Sequence, residues 1–184
     1  MVNTKNSQTR RDNFAFKLSA AKYHLQMINE IFISNKTLIE KGEIDNPKTR
    51  PFIYHYYALV YEIYSCFDMT LHLVNTKFKL GFAGTGVKWR KVKKEADNNK
   101  FQKALRIKSP QSYSYINSVF ESEWFDALKS TRDYLIHNGI IELQVGFSQN
   151  RVNIINPIIK GKIYHFDCNL WGEEMAKVFN SVYS

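Results

Sequence analysis

Phe14, Leu18, Ala21, Leu25, Ile28 and Phe32 recur at intervals of four and three residues, which lays one apolar stripe along a helix of about six turns. Asp12 stands where it would cap that helix. The pattern breaks over "KGEIDNPKTRP", residues 41–51, where Gly42, Pro47 and Pro51 mark an inter-helix loop. Pro51 opens a second long helix, at a first-turn position where proline forfeits no hydrogen bond. Its sequence, "FIYHYYALVYEIYSCFDMTLHLVNTKF", is apolar on most sides, as expected of the central member of a bundle. A shorter helix is predicted over residues 94–107, ending before Ser109-Pro110. In "SEWFDALKSTRDYLIHN" the spacing predicts a helix that buries Trp124, Leu128, Thr131 and Leu135, with Asp126, Ser130, Asp133 and His137 on a polar stripe beside them. After Gly139 the period shortens to strand-like runs, "IIELQVGF", "RVNIINPII" and "KIYHFD", and a last helix spans roughly residues 170–182. The chain therefore reads as mainly α, a four- to five-helix bundle with a small antiparallel β appendage at about 140–167.

Composition narrows this picture. The 184 residues suit one domain, placed at 12–184, and 44% hydrophobic with 15% aromatic residues supplies a core. The first eleven residues are polar and lack an apolar h-region, so they read as a disordered tail and not as a signal peptide. No window approaches the roughly 18 uninterrupted apolar residues of a membrane span, so no membrane partner is expected. Cys66 and Cys168 form no CxxC pattern, which suits a reducing cytoplasm and two buried thiols.

Charge changes the picture more. Between Lys77 and Lys108 eleven Lys/Arg face two acids, Glu95 and Asp97, while the rest of the chain carries fifteen charges of each sign. A neutral globule with one basic segment has the electrostatic footprint of a polyanion partner. Lys88, Arg90, Lys91, Lys93 and Lys94 are the candidate nucleic-acid contacts. Phe78, Phe82, Trp89 and Phe101 among them either stack on RNA bases or anchor the segment to the core. A solvated charged loop is the plainer alternative. Gly81 to Gly86 has the spacing of a phosphate loop, but Val87-Lys88-Trp89 follows where Lys and Ser/Thr must stand directly after the glycine.

The remaining candidate chemistry lies in "RDYLIHN", residues 132–138. Arginine offers a permanent planar fork to phosphate oxygens, and histidine moves protons near neutrality. Asp133, four residues before His137, is placed to orient the ring. Such parts suit attack of an RNA 2′-OH on the adjacent phosphate. The five histidines show no HExxH or paired-ligand spacing, and neither a metal nor another cofactor is expected. Arg50 and His55 repeat the spacing in "RPFIYH", but they straddle Pro51 at a helix start.

"RDYLIHN", late in a helix of an α bundle, resembles the R-x(4–6)-H motif of the HEPN superfamily, over roughly residues 12–138. The resemblance implies a HEPN-like bundle and a metal-independent endoribonuclease, commonly a homodimer and often a toxin or an anti-phage defence effector. Arg132 would hold the scissile phosphate, His137 would move the proton, and Asp133 would be the supporting polar residue. An acid on an earlier helix often assists in the family, and Glu62 and Asp68 are both candidates. A protein antitoxin is a candidate partner, although Gly139 stands where antitoxin-paired members often carry a modifiable tyrosine. The alternative is a non-catalytic HEPN-like module that binds RNA, nucleotide or a partner protein.

Overall fold

The structure, a computed structural model, describes residues 2–43, 46–89, 99–139, 141–148, 151–164 and 169–183. Its helices are α1 (Val2–Glu40), α2 (Arg50–Lys77), α3 (Lys100–Lys108), α4 (Pro110–Glu121), α5 (Glu123–Asn138) and α6 (Trp171–Tyr183). Between α5 and α6 lies an antiparallel sheet of β1 (Glu142–Ser148), β2 (Arg151–Ile159) and β3 (Lys162–Ile163), in that order. The molecule is thus mainly helical with a small C-terminal sheet, the class its periodicity predicts.

α1 and α2 pack along each other at the centre. Phe14, Ala21, Ile28 and Phe32 of the predicted stripe are buried, and Leu18 and Leu25 lie partly buried against the same core. Each large apolar side chain removed from water contributes about 1.5–3 kcal/mol. α1 begins well before the predicted cap, so Asp12 is interior to it, and the expected tail is helical from Val2. Arg10 explains part of that extension: its guanidinium donates to the His72 carbonyl (3.0 Å) and to the Thr76 hydroxyl near the end of α2. The helix is interrupted at Asn35, whose φ of −131° departs from helical values.

Two further differences concern α3 and α4. The helix predicted from residue 94 starts at Lys100 among the described residues, where the Asn99 side chain accepts from the N–H groups of Phe101 (3.0 Å) and Gln102 (3.3 Å). α4 is absent from the sequence reading because "PQSYSYINSVFE" is rich in Ser and Tyr, which have middling helix propensity. Tertiary burial of Ile116, Val119 and Phe120 stabilises it, and Pro110 occupies its first turn. Ser109 ends α3 and caps α4, accepting from Ser112 N–H (3.4 Å).

The sheet pairs Leu143 with Pro157 and Val145 with Ile155, and the β2–β3 turn places Lys160 and Gly161 at positive φ. Asn29 of α1 accepts from Val152 N–H (3.0 Å), and Asn169 donates to the Val152 carbonyl (3.0 Å), which ties the sheet to the bundle. α6 closes the fold with buried Trp171, Met175, Val178 and Val182, and Phe179 stacks on Phe14 with centroids 4.2 Å apart. Cys66 is buried and its thiol is pushed up to about 12, chiefly by burial, which leaves it unreactive. Cys168 lies outside the described residues. No helix of the described residues is long and apolar enough to cross a membrane.

Candidate active site

α5 starts at Ser122, whose hydroxyl accepts from Phe125 N–H (3.4 Å), and Glu123 and Asp126 suit the positive end of its dipole. Leu128, Thr131 and Leu135 are buried as their spacing predicts. Phe125 is buried where Trp124 was expected, and Trp124 is half-buried beside it. The helix stops at Gly139, at φ +80°, whose N–H donates to the Leu135 carbonyl (3.1 Å). His137 therefore occupies the last turn, where the dipole favours positive charge.

α5 runs antiparallel to α2 along one seam. Arg132 meets Tyr64, while nine residues on Ile141 donates its N–H to the Tyr57 hydroxyl (3.3 Å), one helical stretch earlier on α2. The Arg132 guanidinium carbon lies 3.9 Å from the centroid of the Tyr64 ring, a close cation–π stack. Its Nη2 donates to Asp133 Oδ1 (3.1 Å), and its side chain retains 25% exposure. Burial pushes the Tyr64 phenol up, and the Arg132 charge pulls against that shift.

The two candidate acids of α2 separate cleanly. Glu62 faces α1 and pairs with Lys17 (2.8 Å). Asp68 faces Arg132: surrounding protein raises its carboxyl above the ordinary value, and the guanidinium opposes the rise. That shift coexists with solvent access, because Asp68 lies at the rim of the seam and is not enclosed by it. At 100° per residue the six intervening steps turn Glu62 and Asp68 about 120° apart. Tyr64 had no role in the sequence reading, although Tyr57, Tyr61, Tyr64 and Asp68 share one face of α2 by their four-three-four spacing.

Asp133 is engaged differently from its expected role. Its carboxylate accepts from Lys129 (3.2 Å) and Arg132, so it braces the arginine and does not orient the imidazole. His137 is exposed, with Ile136 at 49% exposure beside it. Among the described residues, no group of three or more His, Cys, Asp or Glu side chains is arranged to hold a metal ion.

Among the described residues of the basic segment the cations are exposed and the rings lie wholly or partly inside. Trp89 and Phe101 are buried, with Trp89 packed on Phe101 and Tyr113, and Phe78 and Phe82 lie against the core. Trp89 and Phe101 are anchors, and the base-stacking alternative does not hold for those two. Asn75 clasps Phe82 through both its N–H (3.2 Å) and its carbonyl (2.8 Å). Lys88 is exposed. Arg90, Lys91, Lys93 and Lys94 lie outside the described residues.

A family model described as Cthe2314-like HEPN matches residues 6–182. The chain belongs to the HEPN superfamily. No curated protein and no solved structure matches it. The HEPN match runs well past residue 138, so the sheet and α6 fall within the family's extent. Within this HEPN fold the R-x4-H motif lies on α5, with Arg132 held against α2 and His137 at the exposed helix end.

Proposed function

We propose that the protein is a metal-independent endoribonuclease that cuts RNA by attack of a 2′-OH on the neighbouring phosphate. The observation that most supports this reading is the grouping of Arg132, Tyr64 and Asp68 on one seam, with His137 exposed five residues further along α5. Tyr64 and Asp133 hold the guanidinium in place without consuming all its donors, since an arginine carries five. A phosphate at the rim would take the open donors, and negative charge developing on its oxygens would be stabilised there. His137 would take the 2′-OH proton as the 2′-oxygen bonds to phosphorus, or return a proton to the departing 5′-oxygen. The products are a 2′,3′-cyclic phosphate and a 5′-hydroxyl end.

One histidine cannot do both jobs in the same instant. A homodimer that brings two α5 ends together, as HEPN proteins often do, would supply the second. Exposed Ile136 and Tyr61 (39%) beside the motif suit such a contact. The basic segment leaves the C-terminal end of α2 and would gather RNA by charge. A role as a toxin or anti-phage effector in the cytoplasm, with or without an antitoxin, fits this activity.

One observation favours a second reading: no described carboxylate orients His137. A non-catalytic HEPN-like RNA-binding module would need only the cations. Incubating the wild type and His137→Ala with total RNA in excess EDTA decides between them. Cleavage by the wild type alone, leaving cyclic phosphate ends, is expected. Equal inertness with RNA still bound would establish the binding module instead.

A further inference from the structure

The N-terminal half of α2, the α1–α2 loop and the β-hairpin line an open cavity of about 920 Å³. This is within the size of small-molecule sites, roughly 300–1,000 Å³. Its walls include Ile53, Tyr54, Tyr57, Leu143 and Ile158, with Arg50, Glu43 and Asn46 among its polar groups. Apolar and aromatic walls with a few polar groups describe a site for a flat, partly polar molecule, and not for a bare anion.

Its position says which flat molecule. Arg50, Tyr54, Tyr57, Tyr61, Tyr64 and Asp68 fall within an arc of about 80° around α2. Cavity and candidate active site therefore lie on one face of one helix. Tyr57 lines the cavity and Tyr64 carries Arg132, seven residues away or about 10 Å along the axis. A neighbouring nucleotide of the same strand can bridge that gap. The Tyr57 hydroxyl is fixed by Ile141 N–H (3.3 Å), so the wall is set before any ligand arrives. Tyr54 is 61% exposed and offers a ring for stacking. Asn46, whose amide oxygen accepts from Lys48 N–H (3.0 Å), and Glu43 bring an amide and a carboxylate to the lining. Arg50 brings a cation to the lining.

We infer that this cavity is a nucleobase subsite, holding an unpaired base next to the phosphate cut at Arg132 and His137, and that the β-hairpin thereby gives the enzyme a base preference. The inference rests on the ribonuclease reading and names its substrate: single-stranded RNA, since a base inside a duplex cannot enter.

The test uses full-length His137→Ala, its Tyr54→Ala and Leu143→Trp derivatives, and fluorescein-labelled pentanucleotides that differ only in the central base. Anisotropy titrations should show one base favoured about tenfold. Loss of the Tyr54 ring, or filling of the cavity at Leu143, should weaken that oligonucleotide by about tenfold and level the preference. Tyr54 is exposed, so its variant carries the test if Leu143→Trp does not fold. Binding of all the oligonucleotides by both folded variants within twofold of the parent would overturn the subsite. A change in sedimentation of a dimer on Tyr54→Ala, with RNA affinity unchanged, would also overturn it and make this face a contact between copies. Base-selective binding without cleavage by the wild type would sink the ribonuclease alone. No RNA binding by any variant would sink both.

Discussion

Arg50 and His55 on α2 share the spacing of Arg132 and His137 on α5, and in both cases five helical steps turn the two side chains about 140° apart. Their surroundings differ in every other respect. His55 turns toward α1, where its Nδ1 lies 2.9 Å from Nδ1 of His24, with the Tyr23 ring edge-on to both. One ring must donate and the other accept, so the pair is complete within the fold. Burial lowers the affinity of both rings for a proton, and for His24 the neighbouring His55 lowers it further while Glu62 opposes. His137 faces solvent at a helix end, with Arg132 stacked and braced nearby. The lesson is that a spacing specifies an angle, and the neighbouring helix decides whether that angle makes a structural pair or an accessible one.

The sharpest way to break this contrast is to remove each histidine in turn. His137→Ala should cost at least about a hundredfold in the rate of cleavage, the scale of general acid–base catalysis, with RNA affinity held. His55→Ala should leave the rate within about twofold in the same EDTA assay. Equal losses would mean that the motif has no special role. Next in size, Arg132→Lys keeps the charge but loses the fork and the broad stack on Tyr64. A fall of about tenfold or more is expected in single-turnover cleavage, and none for Arg50→Lys in cleavage of a substrate too short to reach the cavity.

The two α2 acids sharpen the comparison at a smaller scale. Asp68→Asn should lower cleavage several-fold and alter stability in a pH-dependent way. Its folded carboxyl is raised, so the folded state holds that proton more tightly than the unfolded chain does. The wild type therefore loses stability as pH rises from the ordinary carboxylate value to the raised one. Melting temperatures across that window should shift in favour of the Asn variant. A constant difference would refute the assignment. Glu62→Gln should leave cleavage unchanged and cost less than about 1 kcal/mol, as for a partly exposed ion pair.

The smallest effect concerns His24 and His55. Their folded affinities for protons are lowered, so the unfolded chain binds more protons below the ordinary histidine value near 6.5. The stability present above that pH is lost as pH falls through it toward the lowered folded values. In His55→Gln the drop in melting temperature between pH 7 and pH 5 should be smaller than in the wild type.

The parts of this molecule that were legible in its sequence are those governed by a strict period. The buried face of α5, the alternation into strands after Gly139 and the stripe from Phe14 to Phe32 all follow from repeat spacing. The illegible parts depend on partners distant along the chain. α4 is stabilised by burial that its own residues do not announce, and the start of α1 by Arg10 reaching α2. The motif points to Arg132 and His137, but that Asp68 faces Arg132 while Glu62 pairs with Lys17 needed the packing of the helices, and Asp133 reaches Arg132 and Lys129 because both lie on its own helix.

Asn99 donates to the Lys88 carbonyl at 2.8 Å, so a side-chain bond joins two positions eleven residues apart. The bond holds the two posts together, and the entropy of such a closure grows only slowly with the number of residues between its ends. Changes in chain length between the posts should therefore cost little closure entropy, with Trp89 and Phe101 buried beside them.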